Sequence, residues 1–186
     1  MDEIRHLSLA ELEAGLDEIH RSPSDAGILH MIVRRPRKTE REVLAQGQID
    51  LVEGLLGDDW SKIGSSMTPD GAPHPDKQIT IMNSRVVALL AQRKERWPLA
   101  GDQLYVDLDL SVDNLPPGTR LLVGEAAVLE VTAIPHTGCM QFVERYGTDA
   151  TKFVNSPEGK RLHLRGINTR VIQPGVIRTG DLVKKM

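Results

Sequence analysis

The segment "IPHTGCMQF", residues 134–142, holds the chain's only cysteine, Cys139. A free cysteine is often no more than a small buried hydrophobe. Three neighbours argue for a presented thiol instead. The segment directly follows a β-rich run, and turns at strand ends are where rigid scaffolds hold reactive groups. Gly138 lets another group approach closely. If "CMQFVERYG" is helical, Cys139 sits at its amino end, where free amides and the helix dipole favour a thiolate. His136, three residues earlier, is placed to stabilise that thiolate. A His–Cys pair supplies too few ligands to close a zinc site. Used for acyl transfer, the same pair lacks an identifiable third partner.

A second candidate is the basic group Lys160, Arg161, Arg165, Arg170 and Arg178, with His163 among them. Most of these residues read as a solvated face. Arg165-Gly166 and Asn168-Thr169-Arg170, however, combine guanidinium, amide, hydroxyl and glycine, which is the chemistry of an anion or phosphate pocket. No Walker loop or dinucleotide glycine fingerprint specifies a nucleotide. Asp107, Asp109 and Asp113 do not have the spacing of a calcium loop. Asp107 and Asp109 share one strand face, read here as the wet one. Gly180-Asp181 reads as a turn before the last strand, which makes Asp181 structural. His6, His20, His30 and His74 carry no spacing signal.

The elements that must hold these groups are mostly short. "SLAELEAGL" predicts a helix with Ser8 as cap and Glu11 closing a capping box, and Leu9, Leu12, Leu16 and Ile19 on one face. "GILHMIVRR" predicts a strand buried on both sides. The stretch "REVLAQGQIDLVEGLLGDD" is ambiguous, with a strand and a turn at Gly57-Asp58 preferred. Residues 61–76, rich in Ser, Gly and Pro, form a loop. "KQITIM" is a strand, followed by a helix capped by Ser84 and stopped by Pro98. "DQLYVDLDL" alternates, "TRLLVG" and "AAVLEVTAI" are strands joined at Gly124-Glu125, and "TDATKFVNS" is a helix. Pro174-Gly175 between two strand-like runs predicts a hairpin. The fold class is β-rich, mainly β with peripheral helices, divided into an N-terminal helical extension over residues 1–26 and a β-barrel domain over residues 27–186.

Composition sets the limits. A chain of 186 residues can bury a core, and with 3% aromatic residues that core rests on aliphatic side chains. So few rings, with a net charge of −3, speak against nucleic acid as a partner. A single cysteine excludes an internal disulfide framework. No apolar run has the length of a membrane span, and the acidic "MDEIRHLSLAELEAG" is unlike a signal peptide, so the expected location is cytoplasmic.

The order of motifs in the second half resembles the MOSC family, named for the C-terminal domain of molybdenum cofactor sulfurase. The motifs are "AGDQLYVDLDL", then "LPPGTRLLVGEAAVLEVTAIPHTGC", then "LRGINTRVIQPGVIRTGDLV". Together with "KQITIM" and its helix, the resemblance spans roughly residues 28–184. It implies a MOSC-type β-barrel and chemistry of a molybdenum cofactor of the molybdopterin type. Cys139 falls at the position of the family's thiol, which implies a catalytic or metal-ligating role: a persulfide sulfur carrier, or the molybdenum ligand of a reductase of N-hydroxylated compounds. A cofactor-free interaction domain is the third possibility. Thr137 and Gly138 would shape the cysteine loop, and Arg165, Asn168 and Arg170 would contact phosphate and pterin. The chain departs from the family pattern at "PHTGC", where many relatives have a Pro-Arg pair, and it lacks their His-Gly-Gly segment. No ferredoxin-like cysteine set and no pyridoxal phosphate site are evident. The expected partners are therefore an electron-transfer protein or a sulfur donor of the cysteine desulfurase type, with a stand-alone protein as the expected form.

Overall fold

The computed structural model describes residues 5–186, so the first four residues of the acidic N-terminal stretch lie outside it. The strands are β1 (Ala26–Arg34), β2 (Glu42–Leu44), β3 (Gln46–Asp50), β4 (Gly54–Leu55), β5 (Ile79–Asn83), β6 (Leu104–Val106), β7 (Arg120–Val123), β8 (Ala127–Val131), β9 (Ile167–Gln173), β10 (Gly175–Arg178) and β11 (Leu182–Lys185). The helices are α1 (Leu9–Ala14), α2 (Leu16–His20), α3 (Ser84–Ala91), α4 (Met140–Tyr146), α5 (Thr148–Asn155) and α6 (Pro157–Arg161). Seven strands run in the order β11-β7-β8-β9-β5-β6-β1, and pairing of β1 with β11 closes them into a barrel. Only β5 and β6 are parallel in this barrel. β2 extends from β1, and β10, β3 and β4 form a small separate sheet.

β1 shows why its apolar residues do not alternate cleanly. Its register against β6 shifts between Leu29 and Met31, a bulge that inserts one residue. Leu29 and Ile32 thereby both enter the barrel core with Ile81, Leu104 and Leu129. Met31 and Val33 face outward and join Met82 and Tyr105 beneath the helices. The strand is thus buried on both sides, as its sequence implies. The outer layer is aliphatic and aromatic: Leu12, Val86, Val87, Leu90, Phe142, Tyr146 and Phe153.

The capping box at Ser8 and Glu11 forms, and Leu12 and Ile19 are buried while Leu9 and Leu16 pack at the edge of the outer layer. Gly57, at φ +81°, follows β4 in a turn where the Asp58 amide donates to Leu55 O. Three expectations need correction. The cap of α3 is Asn83, whose side chain accepts from the Arg85 amide, and Ser84 is already helical. α3 ends at Ala91 with Gln92 left-handed, and Pro98 lies inside a following 3-10 helix. Pro174-Gly175 is not a hairpin: β9 stays in the barrel, while β10 pairs with β3. Proline cannot donate to a ladder, and a Cβ on Gly175 would stand 2.6 Å from Ala127 N, so the chain turns a tight corner between sheets there.

Candidate functional site

Cys139 is the N-cap of α4 and is exposed. Its backbone carbonyl accepts from the amides of Phe142 and Val143, so the helix fixes the residue from one side. The loop leading to it is fixed from the other. Asn168 Nδ2, on β9, donates to Ile134 O at 3.0 Å and Pro135 O at 3.3 Å. Asn155, at the end of α5, clamps Gly138 twice, accepting from its amide at 2.9 Å and donating to its carbonyl at 3.2 Å. The thiol is thus carried on an exposed but tethered turn.

That turn borders a cleft of about 520 Å³, whose lining includes Cys139, His136, Phe142 and Arg165. Five cationic residues line it: Arg35, Lys38, Arg41, Arg145 and Arg165. Asp59 is the one carboxylate among the described lining residues. Two of the cations are compensated from beneath. Arg35 forms a two-pronged pair with buried Asp58, at 3.0 and 2.7 Å, and donates to Gly101 O. Arg165 Nη1 pairs with fully buried Asp102 at 2.6 Å, its Nη2 donates to Ala100 O, and its guanidinium stands 5.0 Å from the Phe142 ring. Lys38, Arg41 and Arg145 have no carboxylate within ion-pair distance among the described residues. Burial lowers the Arg41 pKa, and repulsion from Arg145 and Arg35 lowers it further, so the cations of this rim feel one another.

Two buried donors in the cleft lack a partner: Arg41 Nε and Arg165 Nε. An unpaired buried donor is costly, and in a native fold it points to an acceptor supplied from outside. Three further buried atoms around the cleft lack a hydrogen bond: Asp59 Oδ1, an acceptor in the same lining, and His136 Nδ1 and Asp102 Oδ1, which face each other at 3.5 Å. Burial, then the charges of Arg165, Arg35 and Lys77, hold His136 well below the usual imidazole range, so its ring is neutral near pH 7. A neutral His136 ring brings no charge to a thiolate at Cys139. The positive potential of the cleft comes from the guanidinium and ammonium groups instead. Gly166 is required beside this cluster: its φ is +106°, and a Cβ there would stand 2.4 Å from Ile81 O and 3.4 Å from His136 Nδ1.

The structure brings Arg165 and Cys139 to one cleft and places Thr137 in the wall of a neighbouring cavity. Asn168 is buried and occupied in holding the cysteine loop. Arg170 stands outside the cleft, paired with Glu130 on the barrel surface. Arg161 pairs with Glu158 and Asp113, and Arg178 bonds Gln46. Asp107 is taken up by Arg85, and Asp181 accepts from the Arg178 amide in the turn before β11. Sequence reasoning missed Arg35 and Arg41, which lie far from Cys139 in the chain, and Arg145, which lies on the helix that Cys139 caps. It also missed the roles of Asp102 and Asn155. Asp102 stood in the quoted run "AGDQL", where a carboxylate beside a strand of buried residues was the available signal. Among the described residues no group of three or more His, Cys, Asp or Glu side chains is arranged to hold a metal ion, and no helix is long and apolar enough to cross a membrane.

The family model of the MOSC domain matches residues 46–184. A search of the curated proteins returns no match. Among solved structures, YuaD from Bacillus subtilis superposes with a TM-score of 0.63 at 18% identity, over 86% of this chain and 95% of its own. YiiM from Escherichia coli gives 0.55 at 16% identity over 86% of this chain and 69% of its own. YiiM from Geobacillus stearothermophilus gives 0.52 at 17% identity over 88% and 73%. At these identities the likeness is one of fold.

Proposed function

Because the chain belongs to the MOSC domain family, we propose that its cationic cleft binds a molybdenum cofactor of the molybdopterin type and that Cys139 handles sulfur there. The observation that carries this reading is the coincidence, in one cleft, of the only thiol of the chain with orphaned buried guanidinium donors and cations that have no carboxylate. The residues fit such a group. Arg41, Arg145 and Lys38 would take its phosphate, the Nε atoms of Arg41 and Arg165 offer hydrogen bonds to its oxygens, and a thiolate is a soft ligand suited to molybdenum. The cleft volume is within the range of small-molecule sites. When bound, the cofactor would supply a redox-active metal and an acceptor for sulfur.

Exposure of Cys139, with Met140 beside it also exposed, favours sulfur carriage, because a protein donor must reach the thiol. In that step the Cys139 thiolate attacks the outer sulfur of a donor persulfide. A sulfur–sulfur bond forms on Cys139, the donor's sulfur–sulfur bond breaks, and the donor leaves as a thiolate. A cysteine desulfurase-type enzyme is the partner this chemistry requires.

The test is molybdenum and oxidised-pterin analysis of protein made in a cofactor-competent host, beside Cys139→Ala and Arg41→Glu. Cofactor that copurifies with the parent and is lost from Arg41→Glu supports the cleft assignment. Incubation with a persulfide donor should add the mass of one sulfur atom to the parent and none to Cys139→Ala. Absence of metal, pterin and added sulfur would refute the proposal.

A further inference from the structure

A second cavity, about 490 Å³, shares one lining residue with the cationic cleft, His136. Its character is different. Val112, Pro117, Ile134, Pro135, Val154 and Ile167 make its walls apolar. Two polar side chains in those walls are engaged with the protein: Thr132 Oγ1 donates to Asp76 O at 2.8 Å, and Asn168 Nδ2 holds the carbonyls of Ile134 and Pro135; Thr137 is exposed, and His136 Nδ1 faces Asp102 at 3.5 Å. No carboxylate lines it among the described residues.

Lys160 and His163, the other polar side chains of the lining, are gathered at one turn. Lys160 is exposed at the lining and has no ion-pair partner among the described residues. The His163 amide donates to Lys160 O, and His163 is held at φ +49° with Nδ1 2.7 Å from Leu110 O. A carbonyl can only accept, so Nδ1 carries the proton and Nε2 is the nitrogen left for a ligand. A concave apolar site with convergent polar groups at one end has the form of a small-molecule pocket, and its volume fits one.

We propose that this cavity is a second binding site, for a small amphipathic carboxylate, with an aryl or medium-chain alkyl body against the apolar walls and the carboxylate at Lys160. The single cation selects a monoanion. A phosphate-rich ligand finds more partners in the cationic cleft. The assignment does not depend on a molybdenum cofactor or on the thiol.

The test uses 4-phenylbutyrate as probe, titrated into the full chain by calorimetry and by amide NMR. Saturable binding of one molecule is expected, with shifts at Val112, Ile134, Lys160 and Ile167. The uncharged 4-phenylbutanol should bind more weakly, and Lys160→Glu should weaken 4-phenylbutyrate by about tenfold, reversing a cation that is not part of the core. Val112, 41% exposed, can be replaced by Trp without emptying the core, and V112W should block binding. The proposal is overturned by no saturable binding at millimolar probe, by equal binding of acid and alcohol, or by shifts confined to residues of the cationic cleft.

Discussion

Replacing His136 by Asn tests whether the cleft keeps a neutral imidazole. The His136 ring is 18% exposed, its Nδ1 has no solvent contact, and Arg165, Arg35 and Lys77 oppose its protonation. In the unfolded chain an imidazole titrates near pH 6.5. The folded-state pKa is depressed, so the unfolded state binds the extra proton as pH falls. Stability from this residue is therefore fully present above about pH 6.5 and is lost below it. For a ring that stays neutral in the folded protein from pH 7.5 to 5.5, the loss is RT times the logarithm of the ratio of unfolded-state binding polynomials. That is about 1.4 kcal/mol. With a urea dependence of about 2 kcal/mol per molar, the midpoint falls by about 0.7 M over that span. Asparagine keeps an N–H donor near the position of Nδ1 facing Asp102 but does not titrate. The assay is urea unfolding of parent and His136→Asn at pH 7.5, 6.5 and 5.5, comparing the change in midpoint; the other histidines cancel in the difference. Parallel pH dependences for the two proteins would refute the reasoning, because they would mean that His136 protonates in the fold as readily as outside it.

Other substitutions separate the remaining parts of the argument. Asp102→Ala leaves the Arg165 charge buried without its counter-ion, and urea unfolding should show a loss of about 3–5 kcal/mol; combination with Arg165→Met should recover a large part of it. Cys139 should take one iodoacetamide label per chain without denaturant, read by mass spectrometry, and Cys139→Ser should take none and change stability by less than about 0.5 kcal/mol. Leu12→Ala, at a position with no exposure, should cost about 2–5 kcal/mol in the same unfolding assay if the N-terminal helix is part of the outer core. Gly166→Ala should cost more than about 1 kcal/mol, since the new methyl group meets Ile81 O and the backbone holds a positive φ.

How much of this was legible beforehand follows from the range over which each interaction acts. The capping box at Ser8, the turn at Gly124 and the helix beginning after Cys139 are local, and neighbouring residue types specify them. Cap choice at Asn83 or Ser84 was read one residue late because both side chains can cap, and only the path of β5 decides which amide lies within reach. Pro174-Gly175 has the residue types of a hairpin, but the partner of β10 is β3, more than a hundred residues earlier in the chain. Hairpin chemistry says that the chain turns and cannot say onto which sheet.

The site divides in the same way. Cys139 and Arg145 share one segment, cap and last turn of α4, whereas the other cations that line the cleft come from Arg35 and Arg41 beyond β1 and Arg165 before β9. Barrel closure brings them together, and no spacing in the chain records it. Arg170 shows the converse: it sits in a run with the chemistry of a phosphate pocket, yet the pleat turns it outward to Glu130 on β8. On a strand, neighbours in sequence face opposite ways, so Thr169 is buried against Ile79 O while Arg170 is spent on the surface. His136 carries the argument furthest. Beside Cys139 in sequence it reads as a group to stabilise the thiolate, but burial, with Arg165 before β9 and Arg35 just after β1, keeps it uncharged. Its electrostatic role is set by residues that its own segment does not contain.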